Sequence, residues 1–229
     1  FYVINTILSK FNQTPEKTTI AIQGFGNAGA YLADLLANAG YKIVAVSDSQ
    51  GGIYAKQGLD IPSIRHYKQE YRGMKAVYCE NSVCNIVEHN CITNEELLSL
   101  DVDVLIPAAL ENQITENNAN NIKAKYIFEV ANGPITSGAD EILESKGIYV
   151  IPDILVNAGG VTVSYFEWVQ NRNGFYWELT KINQKLKQKM LEETEKVWAI
   201  SQEYNISMRT AAYIHGLNRL GEALDAKGT

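Results

Sequence analysis

The residues with the clearest chemical potential are Gln23-Gly24-Phe25-Gly26-Asn27-Ala28-Gly29. The apolar run Ile20-Ala21-Ile22 leads into them, and apolar residues at helical spacing (Tyr31, Leu32, Leu35, Leu36) follow. Strand, glycine turn and helix in that order make a cradle for a pyrophosphate. Gly24 permits the tight turn, Gly26 lets backbone approach the phosphates, and Gly29 lets the helix pack on the strand. The orphan N–H groups and the positive dipole end of the helix then face the anion. Asp48 ends the next apolar run, ~20 residues further on, where a carboxylate accepts the hydroxyls of an adenosine ribose. A carboxylate there repels a 2′-phosphate, and no Lys or Arg follows before Lys56. NAD is therefore the favoured cofactor, with NADP the alternative.

These groups need a scaffold that delivers them to one edge. Apolar runs suited to buried strands recur at Ile20–Ile22, Tyr41–Ser47, Val102–Ile106, Lys125–Val130 and Ile148–Ile151, with helical patterns between several of them. Asp48 to Gly52 reads as a turn, Leu59 to Tyr71 as a helix, and Thr115 to Asn121 as a short polar helix. Thr93 and Glu96 form a capping-box pattern ahead of Leu97. The alternation predicts an α/β fold: a doubly wound, mostly parallel sheet of Rossmann type, with additional C-terminal helices at Trp177–Glu203 and Ser207–Leu224. Right-handed crossovers place the strand ends on one edge, so Asn27, Asp48, Ala108, Asn132 and Asn157 are expected to converge there. Asn157 also opens Asn-Ala-Gly-Gly-Val-Thr-Val-Ser, a helix start with two glycines; Ser164 shares a face with Gly160 or Val161 by i, i+4 geometry. Tyr165, Phe166 and Trp168 beyond it read as packing residues.

A net charge of −6 excludes a general nucleic-acid binder, which needs a clustered basic face. No apolar run reaches the ~18 residues of a membrane span, so no membrane partner is expected. The three cysteines, Cys79, Cys84 and Cys91, read as free thiols of a reducing, cytoplasmic compartment. With His89 they lack the paired spacing of common zinc sites, and no metal is expected.

Four blocks, IAIQGFGNAGA, VAVSDSQGGIY, VANGP and IPDILVNAGGVTVSYFEWVQN, together resemble the cofactor-binding domain of the glutamate dehydrogenase family, whose members act on glutamate, leucine, phenylalanine or valine. The resemblance runs from Thr18 to the C-terminus and departs from the usual pattern at Ala28, where valine is common. It implies residues 1–17 as a helix and connection leading from an N-terminal substrate domain, 18–176 as the dinucleotide-binding domain, and 177–229 as helices packing back on it. It further implies that Gly24, Phe25, Gly26, Asn27 and Ala28 hold the pyrophosphate, and Asp48 with Ser49 the adenosine ribose. Ala108, Ala109 and Asn132 would line the nicotinamide-ribose side. Asn157 would lie by the nicotinamide and substrate, Gly160 and Val161 would offer backbone to the amino acid, and Ser164 would bind the γ-carboxylate of glutamate. The activity implied is reversible oxidative deamination of L-glutamate to 2-oxoglutarate and ammonia, in a homohexamer. The family's catalytic lysine and aspartate would lie upstream of Phe1, so this chain would supply the cofactor half. A non-catalytic NAD-binding sensor or regulatory subunit is the alternative.

Overall fold

The computed structural model describes residues 1–71 and 90–228 of the 229. It divides into two compact units, Leu8–Val150 with Phe1, and Ile151–Thr229 with Tyr2–Ile7.

The first unit is built on a seven-stranded sheet in the order β4-β3-β2-β1-β5-β6-β7. The strands are β1 (Thr19–Gln23), β2 (Lys42–Asp48), β3 (Gly51–Tyr54), β4 (Asn90–Ile92), β5 (Val104–Pro107), β6 (Tyr126–Phe128) and β7 (Tyr149–Ile151). β1 pairs in parallel with β2 and β5, and β5 with β6. The doubly wound, mostly parallel sheet expected from the sequence is present. Its central strands are apolar on both faces, as a sheet covered on both sides requires: Ile20, Ala21, Ile22, Ala45, Val46, Leu105 and Ile106 are fully buried. Helices α2 (Asn27–Asn38), α3 (Ile61–Tyr71), α4 (Asn94–Leu98) and α5 (Ser137–Ser145) occupy segments between the strands, and α1 (Tyr2–Lys10), whose Tyr2–Ile7 part belongs to the second unit, precedes β1.

Two expectations need correction. Gly51 and Gly52 belong to a strand rather than to a turn, because β3 folds back antiparallel on β2 with Asp48 opposite Gly51. Alanine at Gly52 would push its Cβ to 2.8 Å from the Val46 carbonyl oxygen, so glycine here marks backbone against backbone. The polar stretch at Thr115–Asn121 is a turn ending in a short 3₁₀ helix, Ala119–Asn121. Asn118 arrests it by accepting from Thr115 N at 2.8 Å and donating to Gln113 O at 2.9 Å.

The edge that starts the strands is stitched by Asp103, which accepts from Thr19 N at 3.0 Å, Thr19 Oγ1 at 2.8 Å and Lys125 Nζ at 2.8 Å. Burial pushes its pKa up, but these donors outweigh burial and hold it below the ordinary value. At the same edge a cavity of about 670 Å³ is lined by Ser99, Lys123, Lys146 and Ile148. Its Lys146 ammonium is committed to the carbonyls of Ala119, Asn120 and Ile122, at 3.3, 2.6 and 2.8 Å.

The second unit is helical: α6 (Asp153–Val156), α7 (Ala158–Asn173), α8 (Leu179–Tyr204) and α9 (Met208–Asp225). Ser207 caps α9 as its position predicts, accepting from Thr210 N at 3.2 Å. Phe166 packs on Trp177, with ring centroids 5.8 Å apart. Tyr165 and Trp168, expected to pack, are instead 59% and 55% exposed and stack on one another.

Glu193 on α8 is the electrostatic hub of this unit. It meets His215 Nε2 at 2.6 Å, Lys189 at 2.6 Å, Lys196 at 3.3 Å and Arg219 at 3.5 Å. Partial burial alone raises its pKa, yet the bonds from Lys189 and His215 outweigh burial and hold it at about 2, against 4.5 ordinarily. A carboxylate depressed in the folded state contributes stability above its unfolded value and loses it as pH falls through the folded value. Glu193 therefore stabilises the α8–α9 pair above pH 4.5, and that share disappears as pH falls toward 2. Discounted for solvent screening, Glu193→Gln should cost about 1–2 kcal/mol at pH 7 and nothing near pH 2. Urea unfolding of both proteins across that window measures the difference.

Candidate functional site

The strand order reverses between β1 and β5, and ligands of doubly wound sheets bind beyond the strand ends at such a switch point. The glycine turn lies there. Gly24 has φ +98°, and a Cβ on it would lie 2.7 Å from the carbonyl of Ala108 and the nitrogen of Ala109. The turn is thus pressed against the end of β5, with Ala108 N donating to Gln23 O at 2.7 Å and Gly24 N to Ser47 O at 3.0 Å. A Cβ on Gly29 would lie 1.9 Å from Gly24 O, so this glycine sets the distance between α2 and the turn. Gly26 differs. It is exposed, its φ is negative, and a Cβ there would meet none of the described residues within 4 Å. Among the described residues nothing requires glycine at Gly26, whereas a pyrophosphate laid against the turn would. No side chain caps α2, so its first N–H groups face outward beside exposed Asn27 and Ala28. Phe25 points the other way: its side chain is 2% exposed, and only its backbone can face a ligand. A dinucleotide's phosphates fit this cradle.

Asp48 ends β2 on the same edge, and its Oδ1 accepts from Gln50 N at 2.9 Å. Its backbone is fixed from α4: Asn94 Nδ2 donates to Asp48 O at 3.0 Å, and Ser47 Oγ donates to Asn94 Oδ1 at 2.7 Å. The Thr93 capping box is formed in full, which holds Asn94 at the first turn of α4. Ser49 is exposed beside a cavity of about 320 Å³ that Gly51, Cys91, Thr93 and Asn94 also line.

Two side chains here were missed in the sequence. Lys68 on α3 lies 3.3 Å from Asp48 Oδ2 and donates to Phe25 O at 2.6 Å, so one cation joins the glycine turn to the carboxylate that ends β2. Arg65, one turn earlier, pairs with Asp34 and lies over the Tyr31 ring, fastening α3 to α2. Nothing in the linear spacing signals Lys68, because it arrives from the helix after β3 rather than from the strand end. Gln113 is the other addition: Gln23 Nε2 donates to its Oε1 at 2.8 Å. The loop carrying Gln113 is in turn tied to the Asn132 turn through Asn112 N to Gly133 O and Gln113 N to Pro134 O, at 2.9 and 2.8 Å. Val130 N and Ala131 N both donate to Pro107 O. Ala108, Ala109 and Asn132 are therefore neighbours on this edge, with Ala109 and Asn132 exposed.

The remaining expected residues belong to the second unit. Asn157 precedes α7, with its N–H donating to Asp153 O at 2.9 Å. Gly160, Val161 and Ser164 occupy the first two turns of α7; all three are exposed, Val161 at 71%. No side chain caps this helix start.

Cys91 is disulfide-bonded, which corrects the expectation of free thiols. Cys79, Cys84 and His89 lie outside the described residues. Among the described residues, no group of three or more His, Cys, Asp and Glu could hold a metal ion, and no helix is long and apolar enough to cross a membrane.

A family model, Glutamate/Leucine/Phenylalanine/Valine dehydrogenase, matches residues 1–228. The chain belongs to that family. It is 63% identical over its whole length to the NADP-specific glutamate dehydrogenase of Synechocystis sp., covering 54% of that protein. It is 45% identical over 95% of its length to the NAD-specific glutamate dehydrogenase of Staphylococcus aureus, covering 50% of it. Its fold superposes with a TM-score of 0.88, at 27% identity, on the hetero-hexameric glutamate dehydrogenase of Thermus thermophilus in a Leu-bound form, matching all of this chain and 52% of that one. The chain thus spans about half the length of these family members.

Proposed function

We propose that this chain is the cofactor-holding half of an NAD(P)-dependent glutamate dehydrogenase, which interconverts L-glutamate with 2-oxoglutarate and ammonia. The observation that carries the proposal is the glycine turn at the switch point, where Gly26 leaves open the room a pyrophosphate requires. When bound, the nicotinamide supplies the acceptor for the substrate's hydride. Gly24 to Ala28 and the start of α2 would hold the pyrophosphate, and Asp48 with Ser49 the adenosine ribose. Ala108, Ala109 and Asn132 would line the nicotinamide ribose. In the second unit, Asn157, Gly160 and Val161 would meet the amino acid, and the Ser164 hydroxyl would donate to its γ-carboxylate. An apolar residue at Ser164 would leave that charge unpaired, so serine favours glutamate over branched or aromatic substrates.

The cofactor's adenosine end also takes a second reading. Asp48 alone favours NAD, but Lys68 partly neutralises it, and a lysine ammonium has a third donor beyond those given to Phe25 and Asp48. We infer that Lys68 admits the 2′-phosphate, so that NADP is accepted alongside NAD. The names of the two relatives, one NADP-specific and one NAD-specific, show that both preferences exist in the family.

The proton chemistry would come from the lysine and aspartate of the other half, within a full-length homohexamer. The 229-residue chain is accordingly expected to bind NADH, read by quenching of tryptophan fluorescence, and to show no glutamate-dependent reduction of NAD or NADP. Full turnover by this chain alone would sink the division of labour, and failure to bind either nucleotide would sink the cofactor assignment.

A further inference from the structure

Ser47 brings a hydroxyl to β2 in the middle of an apolar sheet, and it is fully buried. Its Oγ donates to Asn94 Oδ1 at 2.7 Å, and Asn94 Nδ2 donates in turn to Asp48 O at 3.0 Å. That carbonyl belongs to the peptide joining Asp48 to Ser49, the two residues proposed to hold the adenosine ribose. One amide side chain therefore holds the peptide that directs both. Asn94 is itself held from two sides. Thr93 Oγ1 accepts from Glu96 N at 3.1 Å, and Glu96 Oε2 accepts from Thr93 N at 2.7 Å, so Asn94 starts α4 inside a closed capping box. Leu97 and Leu98 anchor α4 in the same buried cluster as Ala21, Val44 and Ala45 of β1 and β2. Position 94 also borders the 320 Å³ cavity beside Ser49. The bonds require a short amide: aspartate offers no donor to Asp48 O, and an apolar residue offers neither bond.

We propose that Asn94 is a positioning residue for cofactor choice: acting through Asp48, it sets how strongly this chain prefers a free ribose hydroxyl to a 2′-phosphate. The role rests on the dinucleotide assignment of Asp48 and Ser49 made above. A hydrogen bond from a ribose hydroxyl to the Asp48 carboxylate weakens steeply with distance and angle. Repulsion between that carboxylate and a phosphate falls only inversely with their separation. An Asp48 released from its brace therefore loses much of its hold on NADH, while its effect on NADPH changes little.

NADH and NADPH titrations of the 229-residue chain, Asn94→Ala, Asp48→Ala and the double variant test it. Asn94→Ala should weaken NADH about tenfold and NADPH by less than about threefold. With Asp48→Ala already present, adding Asn94→Ala should change NADH affinity by less than about twofold, because the group it positions is gone. Ser47→Ala leaves α4 and its cap intact and should shift the NADH-to-NADPH preference the same way, by about threefold; it carries the test if Asn94→Ala does not fold. Equal weakening of both nucleotides, losses that add to those of Asp48→Ala, or an unchanged preference in the folded variants would each overturn the role of Asn94 and leave the cofactor assignment standing. A parent chain that binds neither nucleotide would overturn both.

Discussion

Alanine at Gly29 is expected to destabilise the chain by about 3 kcal/mol or more, as overpacking and backbone displacement do. Its Cβ would lie 1.9 Å from Gly24 O, a backbone atom that can yield only if the whole turn moves. Moving the turn is resisted on its other side, because Gly24 is pressed against Ala108 and Ala109 with φ +98°. Gly24→Ala should therefore be about as damaging, adding left-handed strain to a backbone clash. Gly26→Ala should behave in the opposite way. The new methyl meets no atom of the described residues within 4 Å, so stability should stay within about 0.5 kcal/mol of the parent. The methyl would occupy the space proposed for the pyrophosphate, and NADH affinity should fall by about 10–100-fold, the loss of a charge-assisted hydrogen bond or two. Thermal unfolding and NADH titration of the three variants separate a glycine that serves the fold from one that serves a ligand. Normal NADH binding by Gly26→Ala would remove the argument for a phosphate cradle.

Lys68→Ala is the second substitution with a large expected effect, and it should act on one cofactor only. The ammonium stands between Phe25 O and Asp48 Oδ2, at 2.6 and 3.3 Å. NADP brings a dianion toward Asp48, which without Lys68 meets an uncompensated carboxylate. Loss of a hydrogen bond to a charged group is worth about 1.5–3 kcal/mol, or about 10–100-fold in NADPH affinity. NADH carries no phosphate at that hydroxyl, and its affinity should change by less than about threefold. Asp48→Asn tests the other partner: removing the repulsion should tighten NADPH and weaken NADH, whose ribose loses its charged acceptor. Equal losses of NADH and NADPH in Lys68→Ala would show that Lys68 serves the turn rather than the 2′-phosphate. Both nucleotides are titrated into both variants at two salt concentrations, since a phosphate contact weakens with ionic strength.

The strand, turn and helix around Gly24–Gly29, the strands at β1, β2, β5, β6 and β7, the Thr93 box and the Ser207 cap were all legible in the linear chain. These features are local: apolar runs, glycine spacing and capping residues act within a few positions of one another. β3 was not legible, because two glycines followed by Ile53 and Tyr54 look like a turn until β2 lies alongside to pair with them. Tyr165 and Trp168 read as core because large aromatics are usually buried, and pattern alone does not reveal which face of α7 finds a partner.

The sequence by itself pointed to a dinucleotide cradle and to the strand end that forms it, because such a cradle is made of backbone and glycine spacing shows where backbone is exposed. It also put forward Ser164, through the family resemblance, as the proposed contact for the substrate and, through Asp48, an expectation of NAD. Only the tertiary structure distinguished the three glycines, since the atoms that Gly24 and Gly29 meet come from Ala108, Ala109 and the turn itself, while Gly26 meets none among the described residues. Only the tertiary structure brought Lys68 beside Asp48, across twenty positions and from a different element. An ion pair depends on where two charges stand in space, and the order of residues along a strand does not record that.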